Sequence, residues 1–279
     1  MMKKLTYQLD WNTFVLFLCI MCVGFLLISG CSQQANQVDR EKKISVGAGA
    51  GLKAVLDPLS KIFTRKTGIQ VEHSYLCSGT LLSNMQLTKT GDVMVPGSQY
   101  YLDIAIEKGL IDPNAVSIAG FMIPVIAVQK GNPLNIKTIE DLTKPGLRVG
   151  IGEPDALAVG RLTERMLKDL GLYEDVMKNV VLTGGSATKL IIPLAIGNLD
   201  AEINWRAVTK QFQEKVDTIL IDPNKLKYSI APIGITTFTK KKELAKEYLD
   251  FVVSDEGRAL FSQHGYDTYF DTSKVGIVQ

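Results

Sequence analysis

The sequence predicts an α/β fold with mostly parallel sheets, and three observations carry that expectation. Short apolar strands alternate with helices whose apolar residues recur at 3.6-residue spacing. The segments 121–128 and 229–238 are near-continuous apolar runs, as expected of strands covered on both faces. Three strand-to-helix junctions, at residues 47–52, 76–80 and 184–188, carry small polar residues. In open α/β sheets such junctions are where ligands sit, beside helix N-termini.

The elements follow in order. Lys3 and Lys4 precede an uncharged apolar run over residues 13–28, closed by Ser29-Gly30-Cys31. That is the three-part layout of an export signal, and a 16-residue helix of about 24 Å is short for a stable span. Residues 32–43 are polar and lack apolar periodicity, which reads as a tether. A strand over 44–46 runs into Gly47-Ala48-Gly49-Ala50-Gly51, and Leu52, Val55, Leu56, Leu59, Ile62 and Phe63 mark a helix in which Pro58 predicts a kink or a first turn. A strand over 69–75 leads to Cys77-Ser78-Gly79-Thr80 and a helix carrying Leu81, Leu82 and Met85. A strand at 92–95 and a helix at 100–109 come next, then the apolar strand 121–128. The same alternation gives a helix at 138–142, a strand at 147–151, a helix at 154–170, a strand at 180–182 and a helix at 187–196. Strands at 201–205, 218–221 and 229–238 precede helices at 243–253 and 256–264.

Composition excludes several functions. The 279 residues carry 31 Lys+Arg against 29 Asp+Glu, so the net charge of +2 supplies no cationic field for nucleic acid. Two histidines make a His-rich metal centre or a His-dependent hydrolase an unfavoured reading. Glycines at 47, 49 and 51 depart from the G-x-G-x-x-G spacing of dinucleotide sites, and no G-x-S-x-G elbow is present. Of four cysteines, Cys19 and Cys22 lie in the signal and Cys31 follows it. Cys77 is then the one thiol of the mature domain, and no internal disulfide is expected. Arg161, Arg165 and Lys168 share a helix face that reads as solvated, and Trp205 at a strand end reads more readily as core than as ligand contact.

The stretches 44–75, 77–85, 91–103, 149–167, 184–205 and 244–266, in this order, resemble the molybdate-binding proteins of ABC importers. The resemblance covers residues 43 to about 266 and implies a two-lobed periplasmic-binding-protein type II fold. Lobe one would hold residues 44–122 with 231–279, lobe two residues 123–230, and the strands at 121–128 and 229–236 would form the hinge. Residues 1–30 would be a lipoprotein signal, with residues 31–43 the lipidated tether, because Ile28-Ser29-Gly30-Cys31 resembles a lipobox that places acyl chains on Cys31. The family holds a tetrahedral oxyanion by hydroxyls and backbone amides, without a neutralising cation. Carried over, Ser78 is the hydroxyl donor, and Val159 and Ala187 give backbone N–H groups. Trp205 stands in place of a tyrosine donor, and Gly51 in place of a serine.

The implied protein is exported, monomeric and non-enzymatic. It is anchored to the membrane through Cys31, uses no cofactor or structural metal, and delivers a molybdate- or tungstate-like anion to a membrane permease. Cys77 leaves a second ligand class open: a soft metal ion, with Met85 or Met94 as co-ligand, a thiophilic oxyanion or a small organic anion. A ligand-sensing module or an enzyme on the same fold is the third reading.

Overall fold

The computed structural model describes residues 42–268, so the expected signal, Cys31 and nearly all of the tether lie outside the described residues. No helix among the described residues is long and apolar enough to cross a membrane.

The first helix shows how local sequence sets the elements. Strand β1 (Lys43–Gly49) ends in a 3-10 turn at Ala50–Leu52, and helix α1 (Lys53–Thr67) follows. Val55, Leu56, Leu59 and Phe63 of α1 are buried, as their spacing demands. Gly68, at φ 76°, ends the helix in the left-handed conformation that glycine adopts without strain. Pro58 stands inside α1, just past its first turn, where its ring removes a single intrahelical bond.

Strand β2 (Gln70–Leu76), helix α2 (Ser78–Thr88), strand β3 (Val93–Val95), helix α3 (Gln99–Glu107) and strand β4 (Ile111–Met122) complete the first half. After Ile123 the chain enters β5 (Pro124–Gln129). There follow β6 (Val149–Gly152), α4 (Ala158–Asp169), α5 (Tyr173–Met177), β7 (Val180–Gly184), α6 (Ala187–Ala195), β8 (Ala201–Trp205), α7 (Arg206–Lys210) and β9 (Val216–Leu220). Strand β10 (Ser229–Thr236) and helices α8 (Lys242–Val252) and α9 (Asp255–Gln263) close the described chain.

The strands form two five-stranded sheets, ordered β2-β1-β3-β10-β4 and β7-β6-β8-β5-β9, flanked by helices in a two-lobed α/β fold. The sheets are mixed rather than mostly parallel. β1 pairs with β3 in parallel, as β6 does with β7 and β8. β10 is antiparallel to β3 and β4, and β5 is antiparallel to β8 and β9. Parallel neighbours need a helical crossover between them, whereas β5 and β10 each arrive from the other sheet and are free of that constraint.

Two expectations change here. The apolar run at 121–128 is the passage between the sheets, broken at Ile123, rather than one strand. Strand β4 starts ten residues earlier than the run, at Ile111, and its polar, half-exposed residues and Pro113 suit an edge position.

Candidate functional site

Gly51, Cys77, Ser78, Val159, Ala187 and Trp205 line one cavity of about 20 Å³, together with residues that include Gly97, Met122 and Leu157. About 10–15 Å³ holds one water-sized sphere, so the space suits a very small ligand and excludes a nucleotide. No Lys or Arg lines it.

Its donors come from helix starts. Ser78 opens α2, Val159 is the second residue of α4 and Ala187 opens α6. First-turn N–H groups have no partner within their own helix, and no side-chain cap serves any of these three termini. Each terminus also carries the positive end of a helix dipole, worth roughly 0.3–1 kcal/mol to an anion. Position 160 must be glycine for α4 to reach this spot, because a Cβ there would stand 2.5 Å from the Gly152 carbonyl oxygen at the end of β6.

Ser78 is 4% exposed, and its Oγ accepts the Gly97 N–H at 3.1 Å. The hydroxyl proton has no acceptor among the described residues, so it is left to donate into the cavity. Gly97 was not singled out from the sequence, although the Pro96-Gly97-Ser98 turn between β3 and α3 repeats the strand-to-helix signal of the other junctions.

Gly51 and Trp205 are spatial partners. A Cβ on Gly51 would lie 3.1 Å from Trp205 Cδ1 and 3.3 Å from Met122 Cε. The indole fills the room a side chain at 51 would need, so one hydroxyl is exchanged for a bulkier N–H donor. Trp205 is 3% exposed, and its indole N–H makes no hydrogen bond among the described residues. The buried Tyr266 hydroxyl donates to the Gly51 carbonyl and fixes the turn from behind.

Contacts across the cleft hold it narrow. The Cys77 thiol donates to the Gly185 carbonyl at 2.6 Å, and the Tyr101 hydroxyl donates to the Asp155 carbonyl at 3.4 Å. The exposed Arg161 guanidinium lies over the Tyr100 ring at 3.7 Å, so this residue bridges α4 to α3 from the solvated face it shares with Arg165 and Lys168. Met85 and Met94 are core side chains and do not line the cavity with Cys77. No group of three or more His, Cys, Asp or Glu able to hold a metal occurs among the described residues.

A second polar cluster was not foreseen. Ser60 Oγ lies 3.1 Å from His73 Nε2 and 2.9 Å from the Tyr248 hydroxyl, and His73 Nδ1 lies 3.7 Å from Asp57. A serine and a histidine therefore lie within hydrogen-bond reach of each other. It is a core arrangement: Ser60 is 5% exposed inside α1, where the surrounding amides serve the helix rather than an oxyanion.

Residues 44–267 match the family described as bacterial extracellular solute-binding protein. A binding protein of Haemophilus influenzae is 27% identical over 219 residues, 78% of this chain and 88% of the relative. The molybdate-binding protein ModA of Mycobacterium tuberculosis is 23% identical over 239 residues, covering 85% and 89%. Among solved structures, the periplasmic molybdate-binding protein of Azotobacter vinelandii superposes with a TM-score of 0.72 at 18% identity, over 80% of this chain and 98% of that one, which establishes the fold. These relatives are binding proteins and not enzymes. The chain belongs to the bacterial extracellular solute-binding proteins.

Proposed function

We propose that this protein captures a small tetrahedral oxyanion, molybdate or tungstate, between its two lobes and presents it to an ABC permease. One observation carries the reading: three uncapped helix N-termini and a hydroxyl with a spare proton converge on a very small cavity without a cation. Such a site neutralises an anion by dipoles and hydrogen bonds to its charge, each worth about 1.5–3 kcal/mol. Gly51, Ser78, Val159, Ala187 and Trp205 are the assigned contacts.

The lobes in this reading are residues 44–122 with 231–279 and residues 123–230. The peptides around Ile123 and between β9 and β10 absorb the motion, and the bound anion closes the cleft into the form the permease recognises. Cys31 carries the acyl chains that hold the exported monomer at the membrane surface. The reading in which Cys77 takes a soft metal ion, a thiophilic oxyanion or an organic anion is less well supported, because the thiol proton is already donated to Gly185. Cys77→Ser separates the two: oxyanion binding survives it, and thiolate-based binding does not.

Isothermal titration with molybdate, tungstate and sulfate tests the proposal. Saturable heat with molybdate or tungstate supports it, and no heat with any of the three sinks it. Trp205 supplies a parallel signal, since the other tryptophan, Trp11, lies in the expected leader. A ligand touching the indole should change its emission.

A further inference from the structure

All five residues of β8 are buried, and they include two that such a strand rarely holds: Glu202 and Asn204, both 0% exposed. Asn204 Nδ2 donates to the Ala187 carbonyl at 2.9 Å and to Glu202 Oε1 at 2.7 Å. Asn204 Oδ1 accepts the Trp205 backbone N–H at 2.8 Å. One amide thus fastens the first residue of α6 to the backbone of Trp205, and both residues line the cavity. The other carboxyl oxygen, Glu202 Oε2, is buried with no hydrogen-bond partner.

Nothing charged is placed to pair with Glu202. Its neighbours across the sheet are Ala127 on β5 and Gly150 on β6. Over α6 the nearby ionisable residue is the exposed Lys189. On α7, Arg206 is bound to Asp267, and Lys210 donates to the Gln263 carbonyl. At the far end of the strand Arg148 is held by Asp200. On α4, Arg161 stacks on Tyr100, Lys168 pairs with Glu164, and Asp169 pairs with Lys227, while Arg165 has contacts of its own. Burial therefore acts almost unopposed and pushes the Glu202 carboxyl up to about 8, with the Asn204 hydrogen bond pulling weakly the other way.

We propose that Glu202 and Asn204 form a pH-sensitive positioning pair for the ligand cavity, in which Asn204 sets the two walls and an uncharged Glu202 strengthens the hold on an anion. The pair touches the residues of the cavity rather than the ligand. When Glu202 ionises, a negative charge appears two hydrogen bonds from the first residue of α6, behind the N-terminus that serves the anion. Affinity then falls with rising pH, and by reciprocity a bound anion holds the proton on Glu202 more firmly. This inference rests on the oxyanion reading.

The test compares wild type with Glu202→Gln by titration with molybdate from pH 6 to 9.5, a range in which molybdate is a dianion. The wild-type affinity should fall about tenfold across the range, the ratio that one pKa unit of coupling gives. The Glu202→Gln profile should be flat, and since Cys77 is present in both proteins the difference belongs to Glu202. Melting curves without ligand give an independent readout. Because its folded pKa is raised from 4.5 to about 8, Glu202 supports stability fully below about pH 4.5 and loses that contribution as pH rises to about 8. Wild type should lose melting temperature across that window relative to Glu202→Gln. Binding in both proteins with superimposed pH profiles overturns this proposal alone. No molybdate binding by either protein at any pH overturns the oxyanion reading and this inference with it.

Discussion

The cavity at the helix starts and the Asp57–Ser60–His73–Tyr248 cluster both gather polar groups, and they are built in opposite ways. The cluster has the residue types of a hydrolytic centre, beside a wide depression of about 760 Å³. Its hydrogen bonds nevertheless close on one another, Ser60 lying between His73 and Tyr248. The Tyr75 hydroxyl and Lys53 likewise occupy Asp57. The cavity has no reactive side chain apart from Cys77, yet it leaves donors over: the Ser78 hydroxyl proton, the indole N–H and the first amides of α2, α4 and α6. Under the proposed function, leftover hydrogen-bonding capacity, and not the residue types usual in catalysis, distinguishes the ligand's place.

The contrast is sharpest at Ser78. Ser78→Ala removes the spare proton, and an affinity loss of ten- to hundredfold for molybdate is expected from the roughly 1.5–3 kcal/mol of a hydrogen bond to a charged group. Titration calorimetry reads the loss, and wild-type affinity in this variant would break the distinction between the two regions.

The exchange at Gly51 and Trp205 comes next in size. Gly51→Ser alone forces a Cβ against the indole, and overpacking of about 1–3 kcal/mol should lower the melting temperature by about 2–10 °C. Adding Trp205→Tyr should restore most of it, because the smaller ring vacates the contested space. Equal melting temperatures for the single and double variants would refute the coupling.

Ser60→Ala gives a smaller effect of a different kind. Losing the buried bonds to His73 and Tyr248 should lower the melting temperature by about 2–4 °C, for roughly 1 kcal/mol, with no change in ligand affinity. A change in affinity would mean that the cluster communicates with the cleft.

The smallest effect is in acid. Burial lowers the His73 pKa below its ordinary 6.5, against the pull of Asp57. Burial raises the Asp57 carboxyl, but hydrogen bonds from Lys53 and Tyr75 outweigh it and hold the group below 3.8. A depressed folded-state pKa gives stability that is present above the unfolded value and lost as pH falls through the folded one. Relative to His73→Phe, in which the Glu202 contribution is unchanged, the wild type should therefore lose melting temperature as pH falls below about 6.5.

Much of the fold was legible because its signals are local. The helix from Lys53 shows its buried face at 3.6-residue spacing, and Ala201–Trp205 reads as a strand with its observed limits. That Gly51, Cys77, Ser78, Val159, Ala187 and Trp205 would line one cavity was legible from strand-to-helix junctions together with the family resemblance. Strand β4 was not, since an edge strand with Asp112, Pro113 and Asn114 looks like a turn until its pairing with β10 is known. Glu202 and Asn204 were also overlooked, although two polar residues inside an otherwise apolar strand are the visible sign of a buried network.

The sequence by itself determined the alternation of strands and helices, the small residues at the junctions and the lack of a cationic patch, because periodicity, glycine placement and charge count are properties of neighbouring residues. Only the tertiary structure decided that three junctions meet at one cavity, that the Trp205 indole takes the space beside Gly51, and that Ser60 and His73 satisfy each other. Those outcomes depend on residues 13 to 188 positions apart, and their distances are set by how the helices and sheets pack rather than by local pattern.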